Sequence, residues 1–253
     1  MRLLPLCFFL THLVCRLFML HKNKYNDFTL YFKESQSRYS QVFESFVKYQ
    51  LPVIKVLRSQ NKTKVILTEH DKKLYILKVF KPNGKRVERL YKSFFKKDYF
   101  VNLIKRNDVL WAKGMRFQND VYLLAQRKRR HCTNLYIMLN EYIPGKVLNE
   151  FDEVPDGVKQ DVKRNMSLLH QHKLVSGDAH KGNFILSREG VRIIDLCGKK
   201  FTRRRVAEDR LALENRLHIT DFDKDFAYYL LKAKFNIRNK IKTGKNRIVK
   251  VFS

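Results

Sequence analysis

The stretch Gly177-Asp178-Ala179-His180-Lys181-Gly182-Asn183-Phe184-Ile185-Leu186, followed by Val191-Arg192-Ile193-Ile194-Asp195, decides the fold of this chain. Asp178 and Asn183 lie five residues apart in a glycine-flanked loop. Phe184 to Leu186, the polar turn Ser187-Arg188-Glu189-Gly190 and Val191 to Ile194 read as a β-hairpin whose second strand ends on Asp195. Asp and Asn beside Gly are ordinary turn residues, because both bond their own backbone and tolerate unusual φ and ψ. An acid at the end of an apolar strand is less ordinary, since burying it is costly unless it is paired or metal-bound. Two carboxylates and an amide are the hard oxygen donors that suit Mg²⁺, an ion that leaves its remaining positions to phosphates and water.

The order of these groups matches a protein-kinase catalytic loop. There, an Asp that accepts the hydroxyl proton precedes a metal-binding Asn by five residues, and a second metal-binding Asp follows. Asp178 is therefore the candidate catalytic base, Asn183 and Asp195 are the candidate metal ligands, and ATP and Mg²⁺ are the expected cofactors. Asp195-Leu196-Cys197-Gly198 stands in for the usual Asp-Phe-Gly. His180 either orients the loop, meets substrate or bonds backbone. Upstream, Val158, Val162, Met166 and Leu169 recur at helical spacing, which predicts an amphipathic helix from Asp156 to His172 with Asp156 as N-cap. Leu135 to Met138 reads as a buried strand leading to Asn140-Glu141-Tyr142-Ile143-Pro144-Gly145, where Pro and Gly mark a hinge and Glu141 falls near the adenine pocket.

The N-terminal half should then hold the phosphates. Val53 to Leu57, Lys64 to Thr68 and Leu74 to Phe80 are short apolar or β-branched runs between polar turns, the pattern of an antiparallel meander. Lys78, flanked by strand hydrophobics, can reach a triphosphate as a point charge; the alternative is an outward-facing sheet residue. A helix is expected over roughly Lys85 to Ile104, carrying the acidic partner of Lys78 as Glu88 or Asp98. The turn Arg58-Ser59-Gln60-Asn61-Lys62-Thr63 lacks the glycine that permits close backbone cover of phosphates.

These pieces resemble the lipopolysaccharide core heptose(II) kinase family. The resemblance runs from about Tyr25 to the last helix and is carried by Leu74 to Phe80, by Leu168-Leu169-His170-Gln171-His172 with Val175-Ser176-Gly177-Asp178, and by Arg192-Ile193-Ile194-Asp195-Leu196-Cys197-Gly198-Lys199. It implies an α+β, bilobal protein-kinase-like fold with an antiparallel-sheet N-lobe and a mainly helical C-lobe. It also implies a cytoplasmic phosphotransferase, peripheral to the inner membrane, that moves the γ-phosphate of ATP to a hydroxyl of the second heptose of the core glycolipid. By the same resemblance Lys78 is the phosphate anchor. Sugar and aminoglycoside kinases of this fold usually carry His before Gly-Asp, where this chain has Ser176.

Composition fits such a partner. Fifty-three basic against twenty-four acidic residues in 253 leave a net charge of +29, a field suited to an anionic membrane surface, a polyanionic substrate or nucleic acid. Arg203-Arg204-Arg205 is the cluster best placed to bind acceptor phosphates. After Asp225 no acidic residue occurs, while Phe226, Leu230, Ala233, Ile237 and Ile241 recur at helical spacing among lysines. That segment reads as a basic amphipathic helix to about Lys242, which either lies on an anionic bilayer or packs its stripe on the C-lobe. Two other functions are open to such a chain: a kinase-like enzyme with a protein or small-molecule acceptor, and a non-catalytic nucleic-acid-binding protein. The ordered acidic set argues against the latter, and no nucleic-acid partner is expected.

Leu3 to Leu20 is almost wholly apolar apart from Thr11, His12 and Arg16. Residues 1–20 read as a membrane tether, a signal peptide or sequence upstream of a true start at Met19, and the resemblance favours the last. The expected organisation is therefore a leader over 1–20, an N-lobe over 21–143 and a C-lobe over 144–253. Cys7, Cys15, Cys132 and Cys197 show no metal-type spacing and are expected as reduced thiols.

Overall fold

The computed structural model describes residues 20–32, 37–60, 62–82, 99–129 and 132–251. The chain forms two compact units, Met1–Ile143 and Pro144–Ser253. The described part of the first holds one antiparallel sheet of seven strands: β1 (His21–Tyr25), β2 (Phe28–Phe32), β3 (Val53–Gln60), β4 (Thr63–His70), β5 (Lys73–Phe80), β6 (Val121–Arg129) and β7 (Cys132–Glu141). Their order across the sheet is β1-β2-β6-β7-β5-β4-β3. Two hairpins are closed by two-residue turns of left-handed backbone. Asn26 at φ 51° begins the first, and Asp71 and Lys72 at φ 50° and 59° form the second.

Strand alternation gives this sheet two apolar faces, and a helix covers each. Tyr75 and Leu77 of β5, with Leu123 and Leu139, meet Tyr39, Val42 and Phe43 of helix α1 (Ser37–Val47). On the opposite face, Leu124 and Met138 pack with Ile104 of helix α2 (Tyr99–Ala112). The hairpin β1–β2, which extends the sheet beyond β6, and helix α1 have no counterpart in the sequence-based expectation. The helix expected over Lys85 to Ile104 is described from Tyr99 and runs on to Ala112, because Asn107 and Leu110 continue its buried stripe. Glu88 and Asp98 lie outside the described residues.

The second unit begins with β8 (Gly145–Val147) and a 3-10 turn at Leu148–Glu150, followed by helix α3 (Asp156–Gln171). A 3-10 turn at Lys181–Asn183 then leads into β9 (Phe184–Ser187) and β10 (Gly190–Ile193). Helices α4 (Arg203–Leu217) and α5 (Phe226–Val251) complete it. The three strands are antiparallel in the order β10-β9-β8. Val162, Met166 and Leu169 of α3 are buried, and Asn165 Nδ2 donates to the Val191 carbonyl at 2.6 Å, tying the helix to β10. Pro155, not Asp156, is the N-cap of α3. Asp156 sits in the first turn and pairs with Lys159 at 2.9 Å, so its carboxylate does not cap the backbone. Helix α5 continues nine residues past the expected end at Lys242. Among the described residues no helix is long and apolar enough to cross a membrane.

Candidate active site

The site grows from the segment between α3 and β9. After Gln171 the chain turns through Lys173 at φ 58°, and Leu174 and Val175 are buried in the core. Asp209 on α4 holds the next two residues. Its Oδ2 accepts the Ser176 N–H at 2.9 Å and lies 3.1 Å from His170 Nε2, while its Oδ1 accepts the Gly177 N–H at 2.8 Å. Asp209 is 1% exposed, and a carboxylate so deeply buried is tolerated because these donors replace its lost water. A histidine therefore does reach this part of the site, from α3 rather than from position 176.

Gly177 is required by space as well as by backbone. It sits at φ 75°, and a Cβ there would stand 2.3 Å from the Cys197 sulfur. The two segments are joined in addition by Cys197 N donating to the Ser176 carbonyl at 3.2 Å. Burial pushes the Cys197 thiol up, so it stays protonated and donates to the Val175 carbonyl at 3.7 Å.

Asp178 projects into solvent between Arg216 and His180. Its Oδ1 lies 3.1 Å from Arg216 Nη1 of α4, and its Oδ2 lies 3.5 Å from His180 Nε2. His180 Nδ1 accepts the Gly182 N–H at 3.0 Å, which leaves the neutral ring's proton on Nε2, the nitrogen facing Asp178. The Asp178 carbonyl accepts the His180 N–H at 3.0 Å and the Asn183 Nδ2–H at 2.8 Å. The Asn183 carbonyl in turn accepts the Ile194 N–H at 2.9 Å, so the loop is knitted to the strand that delivers Asp195. Asp195 is exposed and left-handed at φ 60°, a conformation that is uncommon for a residue with a side chain and that gathers at ligand clamps.

This donor set suits a magnesium ion shared with a nucleotide. The Asn183 amide nitrogen is committed to the Asp178 carbonyl, so oxygen is the atom that the side chain offers to a cation. Among the described residues no cluster of three or more His, Cys, Asp or Glu forms an all-protein cage. One carboxylate and one amide oxygen agree instead with an ion that takes most of its oxygens from phosphates and water.

The other expected residues fall elsewhere. Lys78 of the first unit is half-buried and pairs across the sheet with Met138, so it lies on the face covered by α2 with its ammonium 5.6 Å from the Phe80 ring. Glu141 Oε2 accepts the Asp120 N–H at 3.0 Å, which fixes the start of β6. Arg203, Arg204 and Arg205 open α4 behind the N-cap Thr202. Arg204 pairs with Glu208 at 3.0 Å and Arg205 donates to the Lys200 carbonyl at 2.5 Å. Three cations at the positive end of a helix dipole oppose it, an arrangement that a bound anion would relieve. The sequence-based expectation passed over Asp209, His170 and Arg216. The first two are recognisable only through the fold, and Arg216 sits in the last turn of α4 with no local pattern that marks it.

The strand order of the first unit, the lysine on its interior strand β5 and the knitted loop of the second define a protein-kinase-like fold. The chain belongs to the family described as lipopolysaccharide core biosynthesis protein (WaaY), whose model matches residues 19–247. It is 42% identical over 229 residues to the lipopolysaccharide core heptose(II) kinase WaaY of Escherichia coli, covering 90% of this chain and 100% of that protein. To the protein of the same name from Escherichia coli strain K12 it is 41% identical over 221 residues, covering 87% and 95%. Among solved structures it is similar to WaaP in complex with acyl carrier protein, with 16% identity, a TM-score of 0.49 and coverage of 86% of this chain and 96% of that one. A Mycobacterium tuberculosis PknI kinase domain gives 16% identity, a TM-score of 0.43 and coverage of 70% and 77%.

Two positioning contacts are open to test. Asp209→Ala removes the anchor of the Ser176 and Gly177 amides and is expected to lower kcat about 10²-fold through misplacement of the loop, with the KM for ATP little changed. Asp209→Asn, whose amide oxygen can accept one of the two N–H groups, should recover part of the loss in steady-state assays. Arg216→Ala frees one side of the Asp178 carboxylate and should lower kcat about tenfold, equivalent to ~1.4 kcal/mol of barrier. Its Tm should stay unchanged, because an exposed ion pair contributes little stability, and calorimetry beside the kinetics checks both halves.

Proposed function

We propose that this protein is a kinase that transfers the γ-phosphoryl group of ATP to a hydroxyl of the second heptose of the lipopolysaccharide core. The chemistry rests on one observation above all: the backbone and side chain of Asn183 bind the Asp178 loop and the Asp195 strand into a single constellation. The acceptor follows from the activity named for the relatives that the chain matches over almost their whole length.

In this mechanism Asp178 orients the acceptor hydroxyl and takes its proton as the oxygen attacks the γ-phosphorus and the bridging oxygen leaves with ADP. His180 and Arg216 hold the two oxygens of that carboxylate in place from opposite sides. Asn183 and Asp195 would hold Mg²⁺, which when bound neutralises charge on the phosphates. Lys78 meets the phosphates of the nucleotide as a point charge, and Glu141 lies by the adenine. Arg203, Arg204 and Arg205 bind phosphate or carboxylate groups of the acceptor core. ATP is cytosolic and the acceptor is a membrane glycolipid, so the enzyme works in the cytoplasm at the surface of the inner membrane.

Purified protein should transfer phosphate from ATP to core glycolipid in a magnesium-dependent manner and leave a generic protein substrate unmodified; transfer to the protein instead would reassign the acceptor. Asp178→Asn should lose about 10² to 10⁴-fold in turnover, the usual worth of a general base, while nucleotide binding measured by calorimetry is retained. Replacing Arg203, Arg204 and Arg205 together with Ala should raise the KM for the acceptor and leave that for ATP near normal. Unchanged acceptor kinetics in that variant would remove the cluster from the site.

A further inference from the structure

Helix α5 is attached to the second unit by one side and offers the other to solvent. Tyr228 is fully buried, its hydroxyl bonds Glu214 of α4, and Lys232 Nζ donates to the same carboxylate at 2.6 Å. At 3.6 residues per turn, Phe226, Leu230, Ala233, Ile237 and Ile241 form a stripe on the side of the helix opposite Tyr228. The stripe is bare: Phe226 is 81% exposed, Leu230 61%, Ile237 59% and Ile241 56%. The alternative left open by the sequence, a stripe packed on the C-lobe, is therefore not what these residues do among the described residues.

Charge identifies what the stripe meets. Lys234 and Arg238 line one border and Lys240 the other, all exposed. The acids Asp221, Asp223 and Asp225 are confined to the approach, where Asp225 Oδ1 caps the helix by accepting the Tyr228 N–H at 3.0 Å, and no acidic residue follows. An apolar band with cations on both borders matches a surface that is itself layered, with anionic headgroups over hydrocarbon. A second protein copy of net charge +29 would repel it, and a nucleic acid has no use for the apolar band.

We infer that α5 is an interfacial helix that docks the enzyme on an anionic lipid bilayer, inserting Phe226, Leu230, Ile237 and Ile241 at the headgroup boundary while Lys234, Arg238 and Lys240 contact lipid phosphates. The inference rests on the membrane part of the function proposed above. Vesicle binding is read without ATP or heptose, so its failure and a failure of the kinase assay are separable.

The full-length chain is mixed with phosphatidylcholine vesicles, with and without phosphatidylglycerol, and cosedimentation is measured at low and high salt. Binding is expected only to the phosphatidylglycerol vesicles and should weaken with salt. The triple variant Lys234→Gln, Arg238→Gln, Lys240→Gln should bind about 10²-fold more weakly, at roughly fivefold per cation near the surface. Leu230→Ser, Ile237→Ser, Ile241→Ser together should also release the protein, while both variants keep turnover on delipidated core oligosaccharide. Ile237→Trp supplies a local readout that does not depend on the triple variants folding. Relative to the parent chain it should add a fluorescence component that shifts to the blue with phosphatidylglycerol vesicles. Absence of that shift, or vesicle binding that both triple variants leave intact, overturns the inference. Self-association or duplex DNA binding that depends on the stripe while vesicles are ignored does so as well.

Discussion

The buried carboxylate of Asp209 is the constraint from which the candidate site takes its shape. Removing it from water is unfavourable by several kcal/mol unless donors surround it, and the donors come from chain segments far apart in sequence. Satisfying one charge therefore fixes helix α3, helix α4 and the start of the loop that carries Asp178. The amides of Ser176 and Gly177 have no freedom to tilt without orphaning it. A site whose turnover depends on the placement of a hydroxyl and a phosphoryl group to within a fraction of an ångström needs such a rigid base.

The first unit solves a different problem by similar means. A sheet with apolar residues on both faces must be covered twice, and α1 and α2 do so with separate clusters. The face a residue occupies then follows from strand alternation, which sends Tyr75 and Leu77 to α1 and Lys78 to the side of α2. The aromatic cluster beneath α1 is tight. Tyr39 stacks on Tyr122 at 4.3 Å, and burial pushes the hydroxyls of both up, so they remain neutral.

Local features were legible from the sequence and long-range ones were not. The hairpin of β9 and β10, the three strands β3 to β5 and the body of α3 carry their periodicity and turn chemistry within a few residues, where pattern suffices. Asp209 lies in Arg203-Arg204-Arg205-Val206-Ala207-Glu208-Asp209-Arg210, a run that reads as a solvated surface because its charges outnumber its apolar residues. Its burial follows from partners more than thirty positions away. The pairing of β2 with β6 is non-local in the same way, so strand order was closed to pattern. The N-cap of α3 was misplaced by one residue because Asp156 has a nearer electrostatic partner in Lys159 than the free amides of its own helix.

The close approach of Gly177 to Cys197 has a consequence for control of the enzyme. Many phosphotransferases are silenced when the segment bearing the second metal-binding Asp swings outward while the rest stays put. In this protein a sulfur fills the space against the α-carbon of Gly177, and the Cys197 N–H donates to the Ser176 carbonyl beside it, so the two segments slide past one another only if both move. For the kinase proposed above, switching would then fall to whatever governs access to substrate, with the loop and strand of the second unit held together and activity set by where the molecule happens to be.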